Sequence, residues 1–288
     1  MSAKKSGWKQ LIKPVIPDPV LRWYQAHGVL ARKGRRVWRG DAGGEPELRL
    51  LPALCDPRKV SLDVGANEGG YAWHMRHFSR GLHIFEPLPE LASHLSIGFA
   101  LDRRVRVHPV ALSDYCGATQ LRVPASKDGI NTGLATIEPE NSLSSDEVCR
   151  FTVPVRTLDS YTLRNIGFIK IDVEGHELAV LHGATELIKA WHPAFLIEAQ
   201  ETHRTDAVVS VAALLSASGY NGLFLHEGTL HDIADFDQEV HQGGELGRYF
   251  VNNFLFVTDA LAFRRRAVAL LDASPKPWPS RAAFTNTY

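Results

Sequence analysis

The run Ser61-Leu-Asp-Val-Gly-Ala-Asn-Glu-Gly-Gly70 constrains this chain more than any other. Val60 to Val64 reads as a short buried strand. It breaks at Gly65, and Glu68 to Phe78 reads as a helix. A glycine at a strand exit permits positive φ and close backbone approach. The helix that follows points free N–H groups and its positive end into the same crevice. In open α/β sheets, ligands bind there, outside the carboxyl ends of the strands.

The motif narrows the ligand. Its glycines, Gly65, Gly69 and Gly70, do not fall in the G-x-G-x-x-G spacing of a dinucleotide site, and no Gly-Lys-Ser/Thr follows as in a phosphate-binding loop. Asp63 brings a carboxylate that can attract an amine. A sulfonium cofactor with an amino-acid tail suits that better than a pyrophosphate. The next strand, Leu82 to Phe85, ends in Phe85-Glu86-Pro87, about 20 residues after the glycine turn, where Rossmann-type folds grip ribose hydroxyls. A carboxylate can accept from both hydroxyls. A third strand, Val105 to Leu112, ends in Ala111-Leu112-Ser113-Asp114 and places Asp114 near the same edge, as an acceptor for an amino group or as a turn residue.

Beyond this the chain alternates strand and helix. Leu88 to Ile97 is a helix, Phe168 to Asp172 a strand, and Glu177 to Ala190 a helix. Phe195 to Glu198 is a strand, Val208 to Ser218 a helix, and Gly222 to Leu225 and Asn253 to Val257 two last strands. The expectation is an α/β, Rossmann-like fold, with a mostly parallel sheet, helices on both faces and an N-terminal helical extension. Thr119 to Val123 and Phe151 to Val155 read as edge strands flanking a polar insertion, Ser126 to Asp146. Insertions this long are usually functional or disordered.

Residues 1–50 form an N-terminal helical arm in this reading. One helix is expected around Trp8, Leu11, Ile12 and Val15, and another over Leu21 to Leu30, with the basic run Arg32 to Arg36 beyond. Residues 51–260 form the catalytic domain and 261–288 a loose C-terminal extension. Lys+Arg and Asp+Glu balance at 32 each. No global field draws the protein onto nucleic acid, and a small-molecule or carbohydrate partner is favoured. The lysines near the N-terminus precede no apolar run, and no run reaches the roughly 20 residues of a membrane span. A cytoplasmic protein with three reduced cysteines is expected; a homo-oligomer stays open.

Chemistry concentrates at the Phe168 strand exit, Lys170-Ile-Asp-Val-Glu-Gly-His-Glu177. Asp172 ends the strand as a general base or substrate anchor. Glu174 lies in the turn that Gly175 allows. His176 has an intrinsic pKa near 6.5 and is a third candidate. Each acid can equally cap the following helix. Asp172, Glu174 and Glu198 could share a divalent cation through oxygens, although grouped carboxylates are common without metal and none is favoured. In the insertion, Asp128-Gly-Ile-Asn-Thr-Gly133 reads as a substrate loop, with Asn131 and Thr132 as donors and acceptors for hydroxyls, and Glu198 at its strand end is grouped with them as substrate-binding. A non-catalytic scaffold on the same fold stays open.

In order, Asp63-Val-Gly-Ala-Asn67, Phe85-Glu-Pro87, Ala111 to Asp114, Leu158-Asp159, Ile169 to Glu177 and Glu198 resemble the FkbM family of methyltransferases, from about Lys59 to about Val257. The resemblance implies a class I methyltransferase fold, S-adenosylmethionine as donor, and transfer to oxygen, often a hydroxyl of a sugar or polyketide-type product. It implies that Asp63, Gly65, Ala66, Asn67 and Glu86 hold the cofactor. Gly69 and Pro87, in the same two turns, are grouped with them. Some members carry Glu-x-His after the last of these strands. Here the chain reads Glu198-Ala-Gln-Glu-Thr-His203, so that histidine is displaced and its role is not carried over.

Overall fold

The computed structural model describes residues 18–39, 45–127, 129–139, 141, 143, 147–243 and 250–272. The helix expected around Trp8, the tail beyond Asp272 and Asp128 of the substrate loop lie outside them.

The main sheet has eight strands: β1 (Val60–Val64), β2 (Gly81–Phe85), β3 (Val105–His108), β8 (Ile166–Ile171), β9 (Ala194–Glu198), β10 (Asn221–His226), β11 (Thr229–Asp232) and β12 (Asn253–Val257). Their order is β11-β10-β12-β9-β8-β1-β2-β3. The pairs from β9 to β3 are parallel; β12, β10 and β11 are antiparallel. This is the expected mostly parallel Rossmann-like sheet. One core cluster, including Val64, Phe85, Ile171 and Phe224, packs against one face. A second, including Ile84, Phe168, Leu196 and Leu255, packs against the other. A strand covered on both faces reads as a continuous apolar run, which is why the sheet was legible.

A second sheet, of β4 (Ala111–Leu112), β5 (Gly117–Ser126), β6 (Gly129–Ile130) and β7 (Glu147–Arg156), has the order β4-β7-β5-β6. It corrects the expected third strand. Val105 to Leu112 does not run as one element: β3 stops at His108, Pro109 has no N–H to extend the ladder, and Ala111–Leu112 pairs with β7 instead. Asp114 therefore follows a strand of the second sheet.

The expected helix Glu177 to Ala190 is also two, Glu177–His182 and Thr185–Trp191. A Cβ on Gly183 would stand 2.0 Å from the Ser113 carbonyl oxygen, so this point is a close crossing of two chain segments. The second piece has its own cap: Asp159 accepts from the Glu186 and Leu187 amides at 3.0 and 2.9 Å. That supplies a structural reason for the Leu158-Asp159 pair.

Packing crosses the boundaries drawn at residues 50 and 260. The helix Asp18–Arg39 buries Leu30 completely, and a Cβ on Gly98 would meet its side chain at 2.3 Å. At the other end, the helix Ala260–Leu271 buries Phe263 and Ala267. No helix among the described residues is long and apolar enough to cross a membrane.

Candidate functional site

The β1 exit is built by crowding. Gly65 has φ +78, and a Cβ there would lie 1.7 Å from the Asp172 carbonyl oxygen. The ends of β1 and β8 are tied there, Asp172 N donating to Val64 O at 3.0 Å. Gly65 N donates to Phe85 O at 2.9 Å, which adds β2. The turn continues through Asn67 (φ 49) and Gly69 (φ 79), and Gly69 N donates to Ala66 O at 2.8 Å. The helix starts at Gly70, two residues later than expected.

Glu86 occupies the β2 exit. Its carboxylate accepts from Asn67 N at 2.7 Å and Leu88 N at 2.9 Å, which joins the two turns. Burial pushes it up to about 7, against the pull of those amides.

Above these turns lies a cleft of about 580 Å³, counting space open to solvent. One part is lined by Gly65, Asn67, Glu86 and Pro87, another by the apolar Val110, Leu112, Leu121 and Ile137, a third by Asp172 and Glu174. Leu121 and Ile137 come from the second sheet and its insertion, so the insertion forms one wall. Thr132 lines the cleft and donates to Asn67 Oδ1 at 3.0 Å. Asn131 is exposed and caps the turn Thr132–Leu134 through the Gly133 amide.

Asp63 is placed differently from the expectation. It is fully buried, does not line the cleft, and neither carboxylate oxygen has a hydrogen-bond partner of good geometry. Burial pushes it up to about 6, opposed by Lys170, its register partner on β8. Asp114 is exposed, lies off the cleft and accepts from Ser113 Oγ at 3.1 Å.

Lys170 sits at the centre of a buried polar network. Its Nζ contacts Asp172 Oδ2 at 2.5 Å and lies 4.7 Å from the Tyr71 ring centroid. Burial opposes its charge, but Asp172, Glu45, Asp63 and Glu198 outweigh that and hold the ammonium well above its ordinary range. Glu45 accepts from Tyr71 and Asn253, so the arm reaches this network. Glu198 accepts from Gln200 at 2.9 Å and Asn252 at 2.6 Å. Burial pushes Glu198 well up, as does the charge of Asp172.

Asp172, Glu174 and Glu198 bring one oxygen each within 4.8 Å of one another. Lys170 pairs with Asp172, and Gln200 and Asn252 donate to Glu198; His203 Nδ1 lies 3.0 Å from Glu174 Oε2, which makes no hydrogen bond of good geometry.

His176 is a brace in this geometry. Its Nε2 is 2.9 Å from Ser113 Oγ and its Nδ1 2.9 Å from Glu138 Oε2. With both nitrogens engaged and the ring buried off the cleft, it has no free site for a substrate proton. Lys170 stood in the candidate cluster at the Phe168 strand exit with no role assigned to it, as a lysine inside an apolar strand; Glu45, Glu138 and Asn141 also carry the site's polar framework and were not singled out from the sequence.

A family model described as the methyltransferase FkbM domain matches residues 63–222, more than half of the chain. No curated protein matches it. Several solved structures are similar to it. Methyltransferase FkbM from Methylobacillus flagellatus KT matches at 17% identity and a TM-score of 0.45, over 86% of this chain and 60% of that one. An O-methyltransferase from Bacillus cereus in complex with SAH matches at 14% and 0.44, over 86% and 94%. An rRNA methylase from Streptococcus thermophilus matches at 9% and 0.41, over 73% and 91%. This chain thus spans 60% of the length of the Methylobacillus protein. The glycine turn, the Glu86 strand end and the Asp172–Glu177 exit all fall inside the matched region, and the chain belongs to the FkbM methyltransferase family.

Proposed function

We propose that the protein transfers a methyl group from S-adenosylmethionine to a hydroxyl of a carbohydrate or small natural product. One observation carries this reading: a single cleft has chemically distinct walls suited to each part of the donor. Glu86, ionised, can accept from a hydroxyl pair. The apolar wall of Val110, Leu112, Leu121 and Ile137 suits a planar base. The acidic wall of Asp172 and Glu174 suits a cation, and opposite charges attract strongly in a partly buried site. When bound, the donor supplies a methyl carbon on a positively charged sulfur.

The chain's own residues then position the acceptor. Much of such a displacement is alignment of two reactants. Asp172, steadied by Lys170, anchors the acceptor hydroxyl, and Thr132 with Asn131 offers further polar contacts. Gly65, Ala66, Asn67, Gly69 and Pro87 shape the donor side. Asp63 acts through its charge on Lys170 rather than by contact. Formal charge neutrality supports an uncharged acceptor over RNA.

Calorimetry with SAH, S-adenosylmethionine and NAD tests the donor, and binding of NAD alone would overturn it. Labelled donor incubated with a panel of methyl glycosides, RNA and protein tests the acceptor. Label is expected in a glycoside; label only in RNA or protein refutes the hydroxyl reading.

A further inference from the structure

The chain's charge balances overall but not along its length. Residues 1–39 hold ten lysines and arginines and a single acid, Asp18. The whole chain has 32 of each sign, so residues 40–288 hold 22 bases and 31 acids. An arm of nine net positive charges is thus joined to a body of nine net negative ones. Such an asymmetry calls for an acidic partner, unless the arm spends its charge on its own body.

The helix Asp18–Arg39 decides between the two. One side of it is committed to the body. Ala26 and Leu30 are buried, a Cβ on Gly34 would lie 2.2 Å from a Trp73 ring atom, and a Cβ on Gly69, in the turn after β1, would lie 3.0 Å from the Leu30 side chain. Lys33 pairs with Glu68 beside that turn. The other side carries Tyr24, Gly28, Arg32 and Arg35, which follow at i, i+4, i+8 and i+11. Tyr24 is 63% exposed, both arginines are exposed, and nothing lies within 4 Å of a Cβ added to Gly28. Arg32 and Arg35 make no ion pair among the described residues, and Arg22 pairs with Asp18 of its own helix. The acidic body therefore leaves this side of the arm uncompensated.

The side chains between the cations narrow the partner. Val20 and Val29 of the same helix are 49% and 38% exposed. In the sequence before it, Trp8, Leu11, Ile12 and Val15 alternate with Lys9 and Lys13. A lipid headgroup boundary takes up apolar and aromatic side chains together with cations. The phosphates of a nucleic-acid duplex reward the cations alone.

We propose that the outer side of the helix Asp18–Arg39 docks the protein onto an anionic lipid surface. Arg32 and Arg35 meet the headgroup phosphates, and Tyr24 lies at the interface. The attachment is peripheral, by charge and by a few apolar side chains.

The full-length protein is sedimented with vesicles of phosphatidylcholine alone and of phosphatidylcholine and phosphatidylglycerol in equal parts. A fluorescent RNA duplex is titrated at the same salt. Binding is expected to the mixed vesicles, little to phosphatidylcholine, with release at about 1 M salt, where charges are screened beyond about 3 Å. A cation near such a surface is worth about fivefold in affinity, so Arg32→Gln with Arg35→Gln should weaken binding about 25-fold. Gly28→Glu puts an acid into the open position and should weaken it at least about fivefold. Neither variant is expected to lower the urea midpoint, and Gly28→Glu decides the matter should the arginine pair do so. Equal binding to both vesicles, no binding to the mixed ones, retention at high salt, or variants that bind like the wild type would each overturn the proposal. Tighter binding of the RNA duplex than of the mixed vesicles would overturn it in favour of a nucleic-acid partner.

Discussion

Substituting Gly65 by alanine separates two costs that usually arrive together. The first is conformational: at φ +78, a residue with a Cβ pays about 1–2 kcal/mol. The second is steric. The added Cβ would stand 1.7 Å from the Asp172 carbonyl oxygen, a backbone atom, so β1 and β8 must part locally. Forcing atoms into filled space costs typically 1–3 kcal/mol. The sum is about 2–5 kcal/mol, a large share of the 5–15 kcal/mol of a folded domain. Gly228 is the control. It has φ +81, sits in the β10–β11 turn, and has nothing within 4 Å of an added Cβ. Gly228→Ala should therefore show only the first cost. Urea denaturation of the two variants measures the difference, expected at about 1–3 kcal/mol. SAH calorimetry on Gly65→Ala should show at least a tenfold loss, since the strand ends also shape the cleft. Equal stabilities of Gly65→Ala and Gly228→Ala would refute the steric argument.

Glu86→Gln places an amide N–H₂ against at least one backbone N–H. It should cost about 1–3 kcal/mol in urea denaturation. Wild-type SAH affinity should weaken as pH falls through about 7, where Glu86 takes up a proton, and Glu86→Gln should flatten that dependence; a pH-independent wild type contradicts it. His176→Ala removes the ring that joins the Ser113 hydroxyl to the Glu138 carboxylate, so a loss of about 1–3 kcal/mol is expected, and one below about 0.5 kcal/mol would remove the brace. Burial holds the Glu47 carboxyl at about 8 against its ordinary 4.5. Between those values the unfolded chain has released the proton while the folded one retains it, so this contribution to stability falls as pH rises. Glu47→Gln should remove that part of the slope in denaturation midpoints from pH 5 to 9; an unchanged slope counts against the burial.

How much was readable depended on what each residue needs from its neighbours. β1, β2, β8 and β9 were legible because a doubly covered parallel strand is mostly apolar, Asp63 and Lys170 being the buried exceptions. The glycine turn was legible because positive φ restricts residue choice locally. The helix break at Gly183 was not, since its cause is the Ser113 carbonyl, 70 residues away in sequence. Pro109 was a visible signal for the end of β3, but which sheet Ala111–Leu112 would join depended on β7.

The same division runs through the site. Sequence alone determined that a glycine turn stands at the β1 exit, that an acid follows at β2, and that acids gather after Lys170, because these depend on local backbone geometry and strand ends. Tertiary structure alone decided which of those groups are free to act. It turned Asp63 away from the cleft, engaged both nitrogens of His176, and set Lys170 on Asp172. It also brought His203 to Glu174 across 29 residues of sequence. Burial and charge pairing depend on groups that converge only when the sheet is assembled.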